Sequence, residues 1–389
     1  MNFLKNLFKL DYNPNRIYGL DILRSIAILS VVINHGNILA PGFHIDSTDG
    51  VSIFFVLSGF LIGRILIKLI ENKEKKNILL NFWIRRWFRT IPNYFLILTL
   101  LLIITKEYTH FSYKFPLNYY TFTQNLFYSH PSFFPEVWSI SVEEWFYLSV
   151  PLIIVSFIFF FKYNPKKAFI ITALSILVLS TAIRYYRWKS GQIDSIEQYD
   201  LLIRRQVITR LDSLMFGMIG AFIQYYYNGF WTKYKKLFLF LGLFLFYIFM
   251  SMPGRYGTAL QLFKSLYGCV FEFLFFSIII LLTLPYLSNF KKGKGIFHYF
   301  FTYISLISYS LYLIHHTLVR DYIIRLGLYS YFPDVHQPVI DYAFYALYWI
   351  LSITLSLLNY KYFEVPIMNL RDNKKVKNWI SLKEKKLPF

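Results

Sequence analysis

The chain has 389 residues, of which 56% are hydrophobic, 21% aromatic and only 16% charged. This composition excludes a soluble globular domain and marks a polytopic membrane protein. The net charge of +20 would suit nucleic acid, but the basic residues follow the loops between membrane spans, which excludes that partner.

Ten apolar stretches are long enough to cross a bilayer, which takes roughly 20 residues. They lie at about 17–40, 51–70, 86–105, 139–161, 168–187, 207–227, 237–252, 262–287, 300–324 and 339–361. The expected fold is all-α, with about ten transmembrane helices in one domain over residues 1–368 and a basic tail over 369–389. Ten crossings put both termini on one side. Of the 41 Lys and Arg residues, 27 fall in the six segments on that side and 12 in the five segments opposite, with Arg24 and Arg64 inside spans. This bias predicts cytoplasmic termini, and the excess charge reads as a positive-inside and lipid-headgroup signature. The outer segment from Arg184 to Arg210 breaks the pattern with six cations, and is expected to be tied to acidic partners. The single cysteine, Cys269, allows no disulfide within the chain. It lies in an apolar run that disfavours a nucleophilic thiolate. No removable signal peptide is expected.

The first span carries Asp21, Arg24, Asn34 and His35. Ionisable groups inside a membrane are costly and mark functional or wet surfaces. Arg24 and His35 are eleven positions apart, which on a helix is about 1100°, or three turns plus roughly 20°. They share one face, about 16 Å apart along the axis, with Asp21 as the expected ion partner of Arg24. The third span opens with NFWIRRWFRTIP, where Arg86 and Arg89 are neighbours on one face. Guanidinium pairs at an inner membrane mouth suit phosphates, and equally suit snorkelling anchors. In PEVWSISVEEWFYLSVP (135–151), Glu143 and Glu144 point about 100° apart. One is expected to face the bundle, at a depth where it could serve an imidazole as part of a general-base relay, and the other the interface. Trp138, Trp145 and Tyr147 read as interface belt. RLDSLMFGMIGA (210–221) places Arg210 and Asp212 at a helix entrance and Gly217 and Gly220 where another helix can approach. SYSLYLIHHT (308–317) puts His315 and His316 in an outer half-span. Adjacent positions diverge on a helix, so no metal site is expected there, and His315 is read as a polar contact to substrate or a hydrogen bond inside the bundle. Glu364 and Pro366 end the tenth span.

Seven of these pieces, in order, resemble the acyltransferase 3 family of membrane O-acyltransferases, which modify surface polysaccharides and related acceptors in bacteria. They are GLDILRSIAILSVVINH, GVSIFFVLSGFLI, the RRWFR box, VWSISVEEWFYLSVP, RLDSLMFGMIGA, SYSLYLIHH and YFEVP, spanning Gly19 to Pro366. The resemblance implies that Arg24 and His35 are the family's first-helix pair, and that Arg86 and Arg89 are its arginine pair tied to acyl-coenzyme A. Glu143 falls in its serine-valine-glutamate segment. The family often carries glutamine where Trp145 stands here. Some members bear a C-terminal SGNH hydrolase-like domain. This sequence stops before one would begin, so a separate SGNH-type partner is expected to supply that step.

The combined expectation is an enzyme of the bacterial cytoplasmic membrane. It moves an acyl group, most simply acetyl, from cytosolic acyl-coenzyme A to a hydroxyl of a glycan or lipid-linked sugar. Arg86 and Arg89 hold the donor, and His35 is the base or acyl carrier. Arg24 and Glu143 support catalysis, while His315, Arg210 and Asp212 face the acceptor. Two other classes fit parts of the pattern. Buried Arg, His and Glu also suit a proton-coupled glycan or anion transporter. Asp46 and Asp49 in the first outer loop would suit a transferase using a lipid-phosphate sugar.

Overall fold

The computed structural model describes residues 16–37, 39, 49–72, 78–109, 117–252, 255, 256, 258–328, 331 and 338–371. Among them every regular element is helical, with no strand. The principal helices are α1 (Tyr18–Gly36), α2 (Gly50–Glu71), α3 (Ile78–Thr109), α4 (Trp138–Phe159) and α5 (Pro165–Lys189), followed by α6 (Val207–Tyr226), α7 (Lys235–Ser251), α8 (Glu272–Leu287), α9 (Gly295–Ile314) and α10 (Pro338–Asn359). Helix α9 continues as a π-helical stretch over His315–Leu328, and α10 runs on through Tyr360–Glu364 to Leu370. In lipid only helices or closed barrels satisfy every backbone polar group, which is why so apolar a chain takes this form. The expected tail and the aspartate at position 46 lie outside the described residues, except for 369–371.

Nine of the helical segments among the described residues are long and apolar enough to span a membrane. Helix α7 has 17 residues, at the lower limit for a span, and the contacts of its neighbours settle its course. At one end of the bundle, Gly19 N donates to Phe290 O (2.8 Å), and Trp231 Nε1 donates to Ser288 Oγ (3.1 Å). At the other, Trp188 Nε1 donates to Lys264 O (3.0 Å), and Tyr199 Oη donates to Glu272 Oε2 (3.0 Å). The chain therefore leaves α6 at the first end and reaches α8 from the second, and α7 makes the connection. Its outer face, with Phe240 and Tyr247 exposed, meets lipid. With α7 the crossings among the described residues number ten, which puts residues 16 and 371 on the same face.

The most extensive pairing is α2 with α6. A Cβ at Gly59 would lie 1.9 Å from the Leu214 carbonyl oxygen, and one at Gly217 2.0 Å from that of Val56. Only glycine admits two backbones this close, the packing expected of small residues in membrane helices. Around this pair, α1, α4, α8 and α9 close the main apolar core, which includes Ile28, Phe55, Val142, Leu214 and Leu311.

Candidate active site

Among the described residues, two cavities are lined by site residues that the sequence predicts. The first, of about 110 Å³, is lined by Arg24 of α1, Ser58 of α2, Arg86, Arg89 and Thr90 of α3, Ser139, Glu143 and Tyr147 of α4, and Tyr309 of α9, among others. Three guanidinium groups share this wall with Glu143, whose Oε2 accepts from Tyr147 Oη at 3.0 Å. Cation excess over a wet cavity favours an anion. Arg86 and Arg89 therefore meet Arg24 here, although α1 and α3 bring them from different parts of the chain.

The second cavity, of about 60 Å³, lies towards the opposite end. Its lining includes His35, Asp49, Glu136, Arg204, Arg205 and His316. Val51 and Tyr312 line both cavities, so one layer of side chains separates the arginine chamber from the histidine chamber. Tyr312 is held in that partition by hydrogen bonds to Ser139 Oγ (2.6 Å) and Glu136 O (2.7 Å).

His35 sits within a cluster of rings. Its Nδ1 lies 2.7 Å from His315 Nε2, and its ring stacks on His316 with centroids 4.3 Å apart. His315 Nδ1 lies 2.8 Å from Leu311 O. Glu136 is buried and accepts three bonds: from His316 Nδ1 (3.0 Å), Thr317 N (3.0 Å) and Thr317 Oγ1 (2.6 Å). Arg320 Nη1 donates to His35 O (3.0 Å). Adjacent histidines both reach His35 because the helix loosens from α to π at His315, a local widening that recurs at functional sites.

Other predicted site residues sit elsewhere. Arg210 and Asp212 line neither cavity. Arg210 is buried against Ser52 Oγ (2.5 Å) and Asp49 Oδ2 (3.3 Å), with Phe273 under its guanidinium at 3.7 Å. Asp212 pairs with buried Arg184 at 2.6 Å. Arg204 and Arg205 meet Asp200. The cation-rich outer segment is thus tied to acidic partners, as its composition predicts. Burial opposes the charge on Asp49, but Arg210 and Arg204 prevail and hold its carboxyl below the usual carboxylate range. Burial also opposes the charge on Arg204, and Asp49 and Asp200 more than offset it, raising its pKa.

Several local expectations differ from the structure. Asp21 pairs with Arg16 and accepts from Ser305 Oγ (2.8 Å); Arg16 precedes the helix and folds back onto it, so Arg24 is left facing the cavity. Glu144 is buried, not interfacial, and takes a hydrogen bond from Thr90 Oγ1 (2.7 Å). Trp138 and Tyr147 are core residues, not an interface belt. Glu136, Arg320 and Tyr312 carry no role in the sequence reading. The one signal for Glu136 is its place at the start of an outer-facing helix, level with His35. Among the described residues, no group of three or more His, Cys, Asp and Glu side chains is placed to hold a metal ion.

Comparison with known proteins fits this arrangement. The family described as "Acyltransferase domain" (Acyl_transf_3) matches residues 17–360. A Staphylococcus aureus MRSA252 protein named "Putative O-acetyltransferase SAR0937" is 28% identical over 96% of this chain and 60% of its own length. The O-acetyltransferase OatA of S. aureus NCTC 8325 is 27% identical over 92% of this chain and 58% of its own length. The chain thus spans about three fifths of these relatives. No solved structure gives a significant match. The domain match covers nearly every described helix and both cavities, and the chain, an all-α membrane protein with about ten transmembrane helices, belongs to the acyltransferase 3 family.

Proposed function

We propose that this acyltransferase takes an acyl group, most simply acetyl, from cytosolic acyl-coenzyme A and delivers it to a hydroxyl of a surface glycan or lipid-linked sugar. The observation that carries the reading is the pair of cavities meeting at Val51 and Tyr312. One is walled by Arg24, Arg86 and Arg89, and the other by imidazoles. The arginines suit the phosphates of a coenzyme A donor, since planar guanidinium groups bind phosphate oxygens in pairs. The positive-inside bias supports a cytoplasmic location for that mouth, in what we take to be a bacterial cell membrane. His35, beyond the partition, acts on the acceptor hydroxyl as base or receives the acyl group. An SGNH-type protein acting on the same acceptor is the natural partner.

Release of free coenzyme A tests this directly. Purified protein in proteoliposomes is given acetyl-coenzyme A and a surface-glycan extract, and free thiol is measured beside labelled glycan. Thiol release coupled to glycan labelling, and lost in a folded His35→Ala variant, supports the reading. Glycan or anion flux without thiol release would instead support the transporter.

A further inference from the structure

The structure assigns the acid–base role in the outer cavity to Glu136 and His316, a carboxylate–imidazole pair that takes the proton from the acceptor hydroxyl. This inference deepens the proposed acyl transfer and rests on it.

The hydrogens in the cluster are fixed by a chain of donors and acceptors. A carbonyl only accepts, so the hydrogen between His315 Nδ1 and Leu311 O belongs to His315. In neutral imidazole the other nitrogen then carries a lone pair. His315 Nε2 therefore accepts, and the 2.7 Å contact fixes the hydrogen on His35 Nδ1. His35 Nε2 is left as a lone pair. A carboxylate likewise only accepts, so His316 Nδ1 carries the hydrogen bonded to Glu136 Oε2, and His316 Nε2 is also a lone pair. His35 and His316 line the same cavity, and His315 does not.

The two imidazoles differ in what stands behind them. His316 has a buried carboxylate, itself fixed by two bonds from Thr317. An imidazolium formed there is stabilised by the adjacent negative charge, the logic of a carboxylate-oriented base. His35 has only another imidazole behind it and no carboxylate. The geometry therefore gives the base role to His316 and leaves His35 to the acyl side. In the step, the acceptor hydroxyl passes its proton to His316 Nε2 as its oxygen bonds the acyl carbon. The bond from that carbon to its leaving group breaks, whether to the coenzyme A sulfur or to His35 Nε2. A coenzyme A thiolate departs with the electron pair and takes the proton from His316; His35, which already carries a hydrogen on Nδ1, departs with the pair as neutral imidazole, and His316 then passes the proton to solvent. His315 touches neither reactant and is a positioning residue for His35.

The test uses the full chain in proteoliposomes, with labelled acetyl-coenzyme A, surface-glycan extract and protein labelled with ¹⁵N-histidine. Glu136→Gln is expected to lower kcat by on the order of 10²–10⁴-fold, with the donor KM within about twofold. Glu136→Asp, which keeps the carboxylate, is expected to recover at least about tenfold of that loss. His316→Ala is expected to fall as far and to be partly restored by added imidazole. Nitrogen NMR should place the His316 proton on Nδ1 in wild type and lose that preference in Glu136→Gln. Folded Glu136→Gln or His316→Ala with wild-type turnover would overturn the assignment, as would a wild-type His316 protonated on Nε2. If wild type transfers nothing from acetyl-coenzyme A, the donor reading fails, while the NMR result still decides the pairing.

Discussion

Replacing Gly217 by alanine tests the packing that holds both cavities in register. Alanine normally stabilises a helix interior by about 1 kcal/mol relative to glycine. Here its Cβ would lie 2.0 Å from the Val56 carbonyl oxygen, 2.5 Å from Phe60 N and 2.8 Å from Gly59 C. All three are backbone atoms, so no rotamer change relieves them. Restoring an ordinary 3.4 Å separation requires α2 and α6 to part by about 1.4 Å. Overpacking of this kind costs about 1–3 kcal/mol. The same movement pulls Arg210 from Ser52 Oγ, now 2.5 Å away, and a hydrogen bond to a charged group contributes about 1.5–3 kcal/mol. After the propensity gain, the net destabilisation should be about 2–5 kcal/mol. Thermal unfolding in mild detergent, followed by tryptophan fluorescence, measures it. Gly229→Ala is the control, since nothing lies within 4 Å of its added Cβ, and it should be neutral or stabilising. A Gly217→Ala protein as stable as wild type would refute the close crossing.

Three further outcomes follow from single sites. Asp212→Ala strands Arg184, which is wholly buried, and should cost about 3–5 kcal/mol in unfolding; Arg184→Met with Asp212→Leu should cost clearly less. Burial pushes the His130 imidazole down to about 4, so the unfolded chain binds a proton that the folded one resists. Stability should therefore fall as pH drops from about 6.5 towards 4, by on the order of 3 kcal/mol, and His130→Phe should flatten that slope in pH-dependent melts. Arg86→Ala should raise the KM for acetyl-coenzyme A about 10–100-fold with little change in kcat, measured by thiol release.

The helices were legible because a bilayer demands long apolar runs, and even the short span near 237–252 was visible in the sequence. Arg24 and His35 on one stripe were legible from the helical period alone. The cavities they line were not, since these require α2, α3, α4 and α9 to converge. Glu136 escaped because its partners, His316 and Thr317, lie 180 and 181 positions away. His316 escaped because adjacent residues diverge on an α-helix, and nothing local signals the loosening to a π-helix at His315. Arg16 took Asp21 from Arg24 because a residue before the helix start can fold back, which an i, i+3 rule does not foresee.

In the proposed reaction an acyl group enters at the arginine chamber and leaves at the histidine chamber. Oriented vesicles test it, with labelled acetyl-coenzyme A on one face and surface-glycan extract on the other. The account predicts labelled glycan only when the donor is on the face bearing Arg86 and Arg89 and the glycan is opposite, with the signal abolished in folded His35→Ala. Equal labelling from either face, or labelling of glycan held on the donor's own side, would contradict it.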